Sequence, residues 1–226
     1  MQSLLMRALL LPAILGAVVA QAAPAAADLD FGVSYYTKVV TDEGVTRESR
    51  YEEKWQRRAG HVWVERVLPA QVAHEKATPG QHKHFNPVRL ARHVMLEGGK
   101  VKLEYIDQQA RERVAVPPGE YDNVSFNGAW DANFYLVSPK SVAEMPLSSR
   151  ASNVQGARWR EREKNGRFQR VLWDEQRQVA LVIEAGDRAG QEFQRIEVQP
   201  LAKANAVLPW TRLAGFSQRE YADFLD

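Results

Sequence analysis

The chain has 226 residues, with 30 Lys and Arg against 28 Asp and Glu and no cysteine. Disulfides, thiolate metal sites, cysteine nucleophiles and a lipid-acceptor cysteine are therefore excluded. The charges are balanced and interleaved rather than blocked, which argues against nucleic acid as a partner, and the length allows one ordinary domain or two small ones.

Arg7 is the one charged side chain in the first 27 residues. An apolar run from Ala8 to Ala20 follows it, and Ala20-Gln21-Ala22 offers a small-x-small exit. This pattern predicts a secretory signal peptide over residues 1–22. The run is shorter than the ~20 residues of a membrane span, and no later stretch is apolar enough for one. The mature chain is thus expected to be periplasmic or secreted, with no integral span. Loss of Arg7 leaves 29 basic against 28 acidic residues. Residues 23–30 read as an Ala/Pro linker and 31–226 as a single domain.

From Phe31 to Val39 apolar and polar residues mostly alternate, which predicts a strand closed by the turn Asp42-Glu43-Gly44. Arg47 to Arg58 reads as a very polar second strand, with Tyr51, Glu53 and Trp55 inward or, after a one-residue slip, the opposite set. His61 to Leu68 is the third, so that the three form an antiparallel meander. Gln71 to Gly80 is an irregular connection and Gln81 to Asn86 an extended one. Asn86-Pro87 then predicts a helix carrying Leu90, Val94 and Met95, ended by Gly98-Gly99. Lys100 to Asp107 and Arg111 to Val116 form a hairpin. The aromatic stretch Tyr121 to Tyr135 reads as loop then strand, because Asn127-Gly128 is a turn signal. Ser138 to Met145 reads as a short helix or loop.

Asn165-Gly166 between Trp159–Lys164 and Arg167–Trp173 is a strong hairpin signal. Val179–Ala185 and Glu192–Val198 complete a four-stranded meander. Ser217-Gln218-Arg219-Glu220 fits a capping box opening a short helix with Tyr221, Phe224 and Leu225 on its apolar face. The fold class is therefore mainly β: a curved antiparallel sheet or half-barrel with one or two short helices packed on its concave face. In outline, with Trp55-Gln56-Arg57-Arg58, Val62-Trp63-Val64-Glu65-Arg66 and the segment after Asn86-Pro87, the chain resembles the LolA/LolB-type half-barrel proteins, which carry lipoproteins across the bacterial periplasm. It departs from them in its many charged strand positions.

All five histidines lie between His61 and His93. His82 and His84, two apart on an extended segment, would face one side, and His93 or His74 could add a third nitrogen, which would suit copper or zinc. On spacing alone the same residues read first as ordinary polar loop residues, and His61 as a surface or turn residue. No Gly-x-Ser-x-Gly elbow and no phosphate-cradling glycine loop occurs. Glu52-Glu53 and Glu161-x-Glu163 could pair carboxylates, but their basic neighbours favour salt-bridged strands. The leading expectation is an exported non-catalytic binding or accessory protein, holding a divalent metal or docking on a redox partner or another exported protein through the histidine segment. The alternative is a LolA-like carrier of an apolar ligand, such as a lipid or lipoprotein, on a concave face lined by Trp55, Trp63, Tyr105 and Trp130. In a cysteine-free exported domain such rings are more often the core itself.

Overall fold

The computed structural model describes residues 26–69 and 85–225. They build an open, curved sheet of eleven strands: β1 (Leu29–Val40), β2 (Thr46–Arg58), β3 (His61–Arg66), β4 (Ala91–Glu97), β5 (Lys100–Asp107), β6 (Glu112–Val116), β7 (Ala157–Lys164), β8 (Arg167–Asp174), β9 (Val179–Asp187), β10 (Glu192–Pro200) and β11 (Ser217–Glu220). The spatial order is β11-β6-β5-β4-β3-β2-β1-β10-β9-β8-β7. The two meanders are thus fused edge to edge, with β1 and β10 paired antiparallel from Phe31–Pro200 to Val39–Glu192. Only β11 runs parallel to its neighbour, β6. Between the meanders lie two short helices, α1 (Trp130–Phe134) and α2 (Pro139–Ala143).

Local chemistry explains the tight turns. Asn165 and Gly166 both have positive φ, 52° and 73°, as the two-residue turn that matches strand twist requires. The concave face is built by parity. Leu29, Arg57, Val62, Val94, Leu103 and Val116 form one cross-strand row, and Phe31, Trp55, Val64, Arg92, Tyr105 and Val114 the next. Most of these join one core with Tyr121, Val124, Phe126 and Phe134 of the inter-meander segment. Val142 and Met145, in α2 and just after it, close a second cluster over Val171, Trp173 and Ile183. The outer face of the second meander carries a register-matched line, Glu161, Arg170, Glu184 and Arg195. Glu184 is buried there among Arg150, Arg170 and Arg195, which accounts for the charge of these strands.

Three local expectations are corrected. The segment after Pro87 is a single turn, in which Asn86 Oδ1 accepts from Val88 N at 3.1 Å, followed by β4 rather than a helix. Leu90 and Val94 are four apart, a spacing shared by one helix face and by every second pair of strand positions, and both faces of β4 are covered, which erases the alternation. The stretch after Asn127-Gly128 is α1, not a strand; the turn is real, and the spacing of Phe126, Trp130 and Phe134 belongs to the helix beyond it. Ser217–Glu220 is β11, which gives the edge of β6 a partner; the capping box lies three residues later, between Glu220 and Asp223, and opens a 3-10 turn at Tyr221–Phe224.

After β10 the chain crosses the convex face as a strap, residues 201–216, before joining β6 as β11. Trp210, Leu213 and Phe216 of the strap pack on Trp63, Ala91 and Ile106.

Candidate functional site

The concave face changes character along its length. Beyond the apolar rows come Val33, Glu53 and Arg66, then Tyr35 and Tyr51. Tyr35 and Tyr51 stack with centroids 4.3 Å apart, and the Arg66 guanidinium lies 3.4 Å over the Tyr51 ring. Glu53 sits between them: it accepts from Trp55 Nε1 at 3.0 Å and lies 3.8 Å from Arg66 Nη1. Tyr35 also bonds Glu53, and its pKa is raised, first by burial and then by the Glu53 charge. The phenol therefore stays a protonated donor. Arg92, one row deeper, bonds Tyr105, whose pKa burial raises, and lies 5.7 Å over the Trp55 ring.

Both arginines carry a buried nitrogen without a hydrogen-bond partner, Nη1 of Arg66 and Nε of Arg92. A buried guanidinium N–H normally finds an acceptor, because leaving it unmet costs more than the bond itself would gain. Arg57 and Arg160 each bury an unmet Nε too, and Arg66 and Arg92 differ from them in being framed by aromatic rings on a partly open face. Among the described residues Arg66 pairs with Glu53, and Arg92 pairs with no carboxylate. The surrounding rings are not sealed: Tyr51 is 37% exposed, and Tyr35, Phe85, Leu90 and Trp130 pack on the core while only partly buried. Such a surface can hold an oxyanion beside an apolar body.

The sequence-predicted ligand-lining residues divide. Trp55 and Tyr105 are core residues of the concave face at this cluster, 3% exposed each. Trp130 is on α1, its ring 4.9 Å from that of Phe134. Trp63 points to the convex face, beneath the strap. Tyr35, Arg66 and Arg92 are not among the sequence-derived site candidates, and Glu53 enters there only as an inward strand position and a possible carboxylate pair. The available signal was parity with Trp55 on β2 and the cationic exceptions Arg66 and Arg92 among otherwise apolar rows.

Of the metal-site candidates, His74, His82 and His84 lie outside the described residues. His93 is buried, 3% exposed, on the convex side, where its Nε2 is 3.0 Å from Nδ1 of His61. Trp210 stacks on both rings, with centroids 5.0 and 5.5 Å away. The two rings share a proton. Nδ1 of His93 is buried with no partner; placing the proton on Nε2 leaves Nδ1 a bare acceptor, which costs less than a stranded N–H. Among the described residues no three His, Asp or Glu side chains converge as a metal-binding group. Parity would have paired these histidines had residues 91–97 been read as a strand.

Burial, the His61 ring and Arg113 pull the His93 pKa down to about 3, and burial also lowers that of His61. Neutral rings are thus favoured in the fold, and the unfolded chain binds more protons below the ordinary histidine pKa of about 6.5. Stability should hold above pH 6.5 and fall as the pH drops toward 3, with His93 adding up to about 1.4 kcal/mol per pH unit. A His93→Phe variant keeps a ring under Trp210. Its Tm should change less between pH 7.5 and 5 than that of the native chain; equal changes would show that this pair does not set the acid response.

No protein-family model matches the chain, and no curated protein matches it. Solved structures overlay on it at low identity. An uncharacterized conserved protein from Thermus thermophilus gives a TM-score of 0.41 at 9% identity, over 85% of this chain and 90% of the other. A LolA superfamily protein from Nitrosomonas europaea gives 0.37 at 10%, over 81% and 88%. A putative outer membrane lipoprotein-sorting protein domain from Vibrio parahaemolyticus gives 0.28 at 10%, over 78% and 87%.

Proposed function

We propose that this is an exported, non-catalytic binding protein that carries an amphiphile, an apolar body with one anionic headgroup, on its concave face. The observation that carries the reading is the pair Arg66 and Arg92, each with a buried nitrogen lacking an acceptor, set among Tyr35, Tyr51, Trp55 and Tyr105. A carboxylate or phosphate would accept from both guanidinium groups, while the partly buried rings meet the tail. Export is supported by the charged, apolar and small-residue sequence of residues 1–22. None of the helices among the described residues is long and apolar enough to cross a membrane. Reading copper or zinc binding into this chain depends on His74, His82 and His84, with His93 already engaged by His61.

The test uses cis-parinaric acid, a fluorescent fatty acid, and its uncharged methyl ester. The native chain should bind the acid, and Arg66→Gln with Arg92→Gln should weaken it about tenfold, the scale of one charge-assisted contact. The ester should bind both proteins alike. An acid affinity unchanged by the double substitution would reject the reading.

A further inference from the structure

A second cleft, of about 450 Å³, lies on the opposite side of the sheet, between the strap and β2–β3. Its floor is polar: Lys54 and Gln56 of β2 and Glu65 of β3, with Gln108 beside them. Trp63 and the strap residues Val207, Pro209, Leu213 and Phe216 give it apolar walls, and Arg212 stands at its rim. Gly32 of β1 is in register with Lys54 and a side chain there would meet nothing within 4 Å, so the floor stays low beside the lysine.

The polar groups are unequally satisfied. Glu65 is already engaged, accepting from Trp63 Nε1 at 2.7 Å and from Gln108 Nε2 at 3.2 Å. Lys54 and Arg212 make no ion pair or side-chain hydrogen bond with another of the described residues, although carboxylates are abundant on this chain. Gln56 Oε1 is buried without a donor. The strap is fastened at one end by Asp30, whose Oδ2 accepts from Asn205 N at 2.9 Å, and at the other by β11, so the cleft is preformed.

The geometry points to a second, independent binding site here, for a small organic anion that combines a flat apolar body, one acidic group and one N–H or O–H donor. The acid pairs with Lys54 and Arg212, the donor meets Gln56 Oε1, and the body lies against Leu213, Phe216 and the edge of Trp63. The volume lies within the range of small-molecule sites. The two idle cations set the sign of the charge, and the idle carbonyl sets the need for a donor.

The probe is 8-anilinonaphthalene-1-sulfonate, which carries a sulfonate, one N–H and fused rings. Its neutral counterpart is N-phenyl-1-naphthylamine, which lacks only the sulfonate. Lys54→Gln with Arg212→Gln removes unpaired surface charges and leaves the fold intact. It should weaken the sulfonate about tenfold and leave the neutral amine unchanged. Gln56→Leu should weaken both. Arg66→Gln with Arg92→Gln, on the other face, should leave unchanged the component of sulfonate binding that is lost in the Lys54/Arg212 variant. The site is overturned if the sulfonate binds the Lys54/Arg212 variant as it binds the native chain, or if it is lost instead with the concave arginines. Because the two faces are tested by separate variants, failure here leaves the concave-face reading untouched.

Discussion

Arg57→Ala should lower the unfolding free energy by about 4 kcal/mol, among the largest effects expected of one side chain outside a site. Arg57 is fully buried, 0% exposed, at the closed end of the concave face. Its Nη1 donates to the carbonyls of Phe134 and Gln178 at 3.3 and 3.0 Å, and its Nη2 to those of Ala27 and Arg177 at 3.1 and 2.7 Å. Its guanidinium also lies 5.0 Å over the Phe134 ring. One planar fork thus ties together the entry to β1, the end of α1 and the β8–β9 turn. Burial pulls its pKa down to about 10, still far above neutrality, so the charge persists and the carbonyls offset its desolvation. Truncation would strand four carbonyls from three separate segments, one of them buried and three part-buried. Arg57→Lys keeps the charge but not the fork, and should recover at most half of the loss. Denaturant unfolding of the three proteins decides this; an alanine variant within about 1 kcal/mol of the native chain would show that the carbonyls find other partners.

Asp30→Ala should cost about 3 kcal/mol, by leaving a buried cation without its partner. Asp30 is 4% exposed and its Oδ1 accepts from Arg58 Nη1 at 2.6 Å. Arg58 also donates to the Asn205 carbonyl at 2.8 Å. The ion pair therefore anchors the start of the strap to β1 and β2. Asp28, 3.6 Å from Arg58 Nε but largely exposed, can replace only part of the lost charge. The effect should be local as well as global. Hydrogen exchange or limited proteolysis of residues 201–216 should accelerate more than that of the β1–β10 seam. Uniform acceleration across the chain would mean that the pair supports the sheet as a whole and not the strap. Since Asn205 also borders the convex cleft, Asp30→Ala should weaken the sulfonate probe too, whereas the Arg57 variants should spare it in whatever fraction folds.

What could be read from residues alone was local. Nine of the strands were legible because turn chemistry such as Asn165-Gly166 and period-two alternation act over a few residues, and the half-barrel class with short helices on the concave face followed from their number. Tyr51, Glu53 and Trp55 could be placed on one face by parity. What tertiary structure decided was non-local: that β10 pairs with β1, that residues 201–216 cross the convex face, and that β11 completes an edge. These depend on contacts between residues more than a hundred positions apart, which no local preference encodes. The candidate sites depend on them in turn. Arg66 and Arg92 share one face only once β3 and β4 are paired in register, His61 finds His93 by the same pairing, and Lys54 and Arg212 line one cleft only because the strap returns. A strand covered on both sides, such as β4, loses the alternation that would identify it, and so Arg92 and His93 were hard to place.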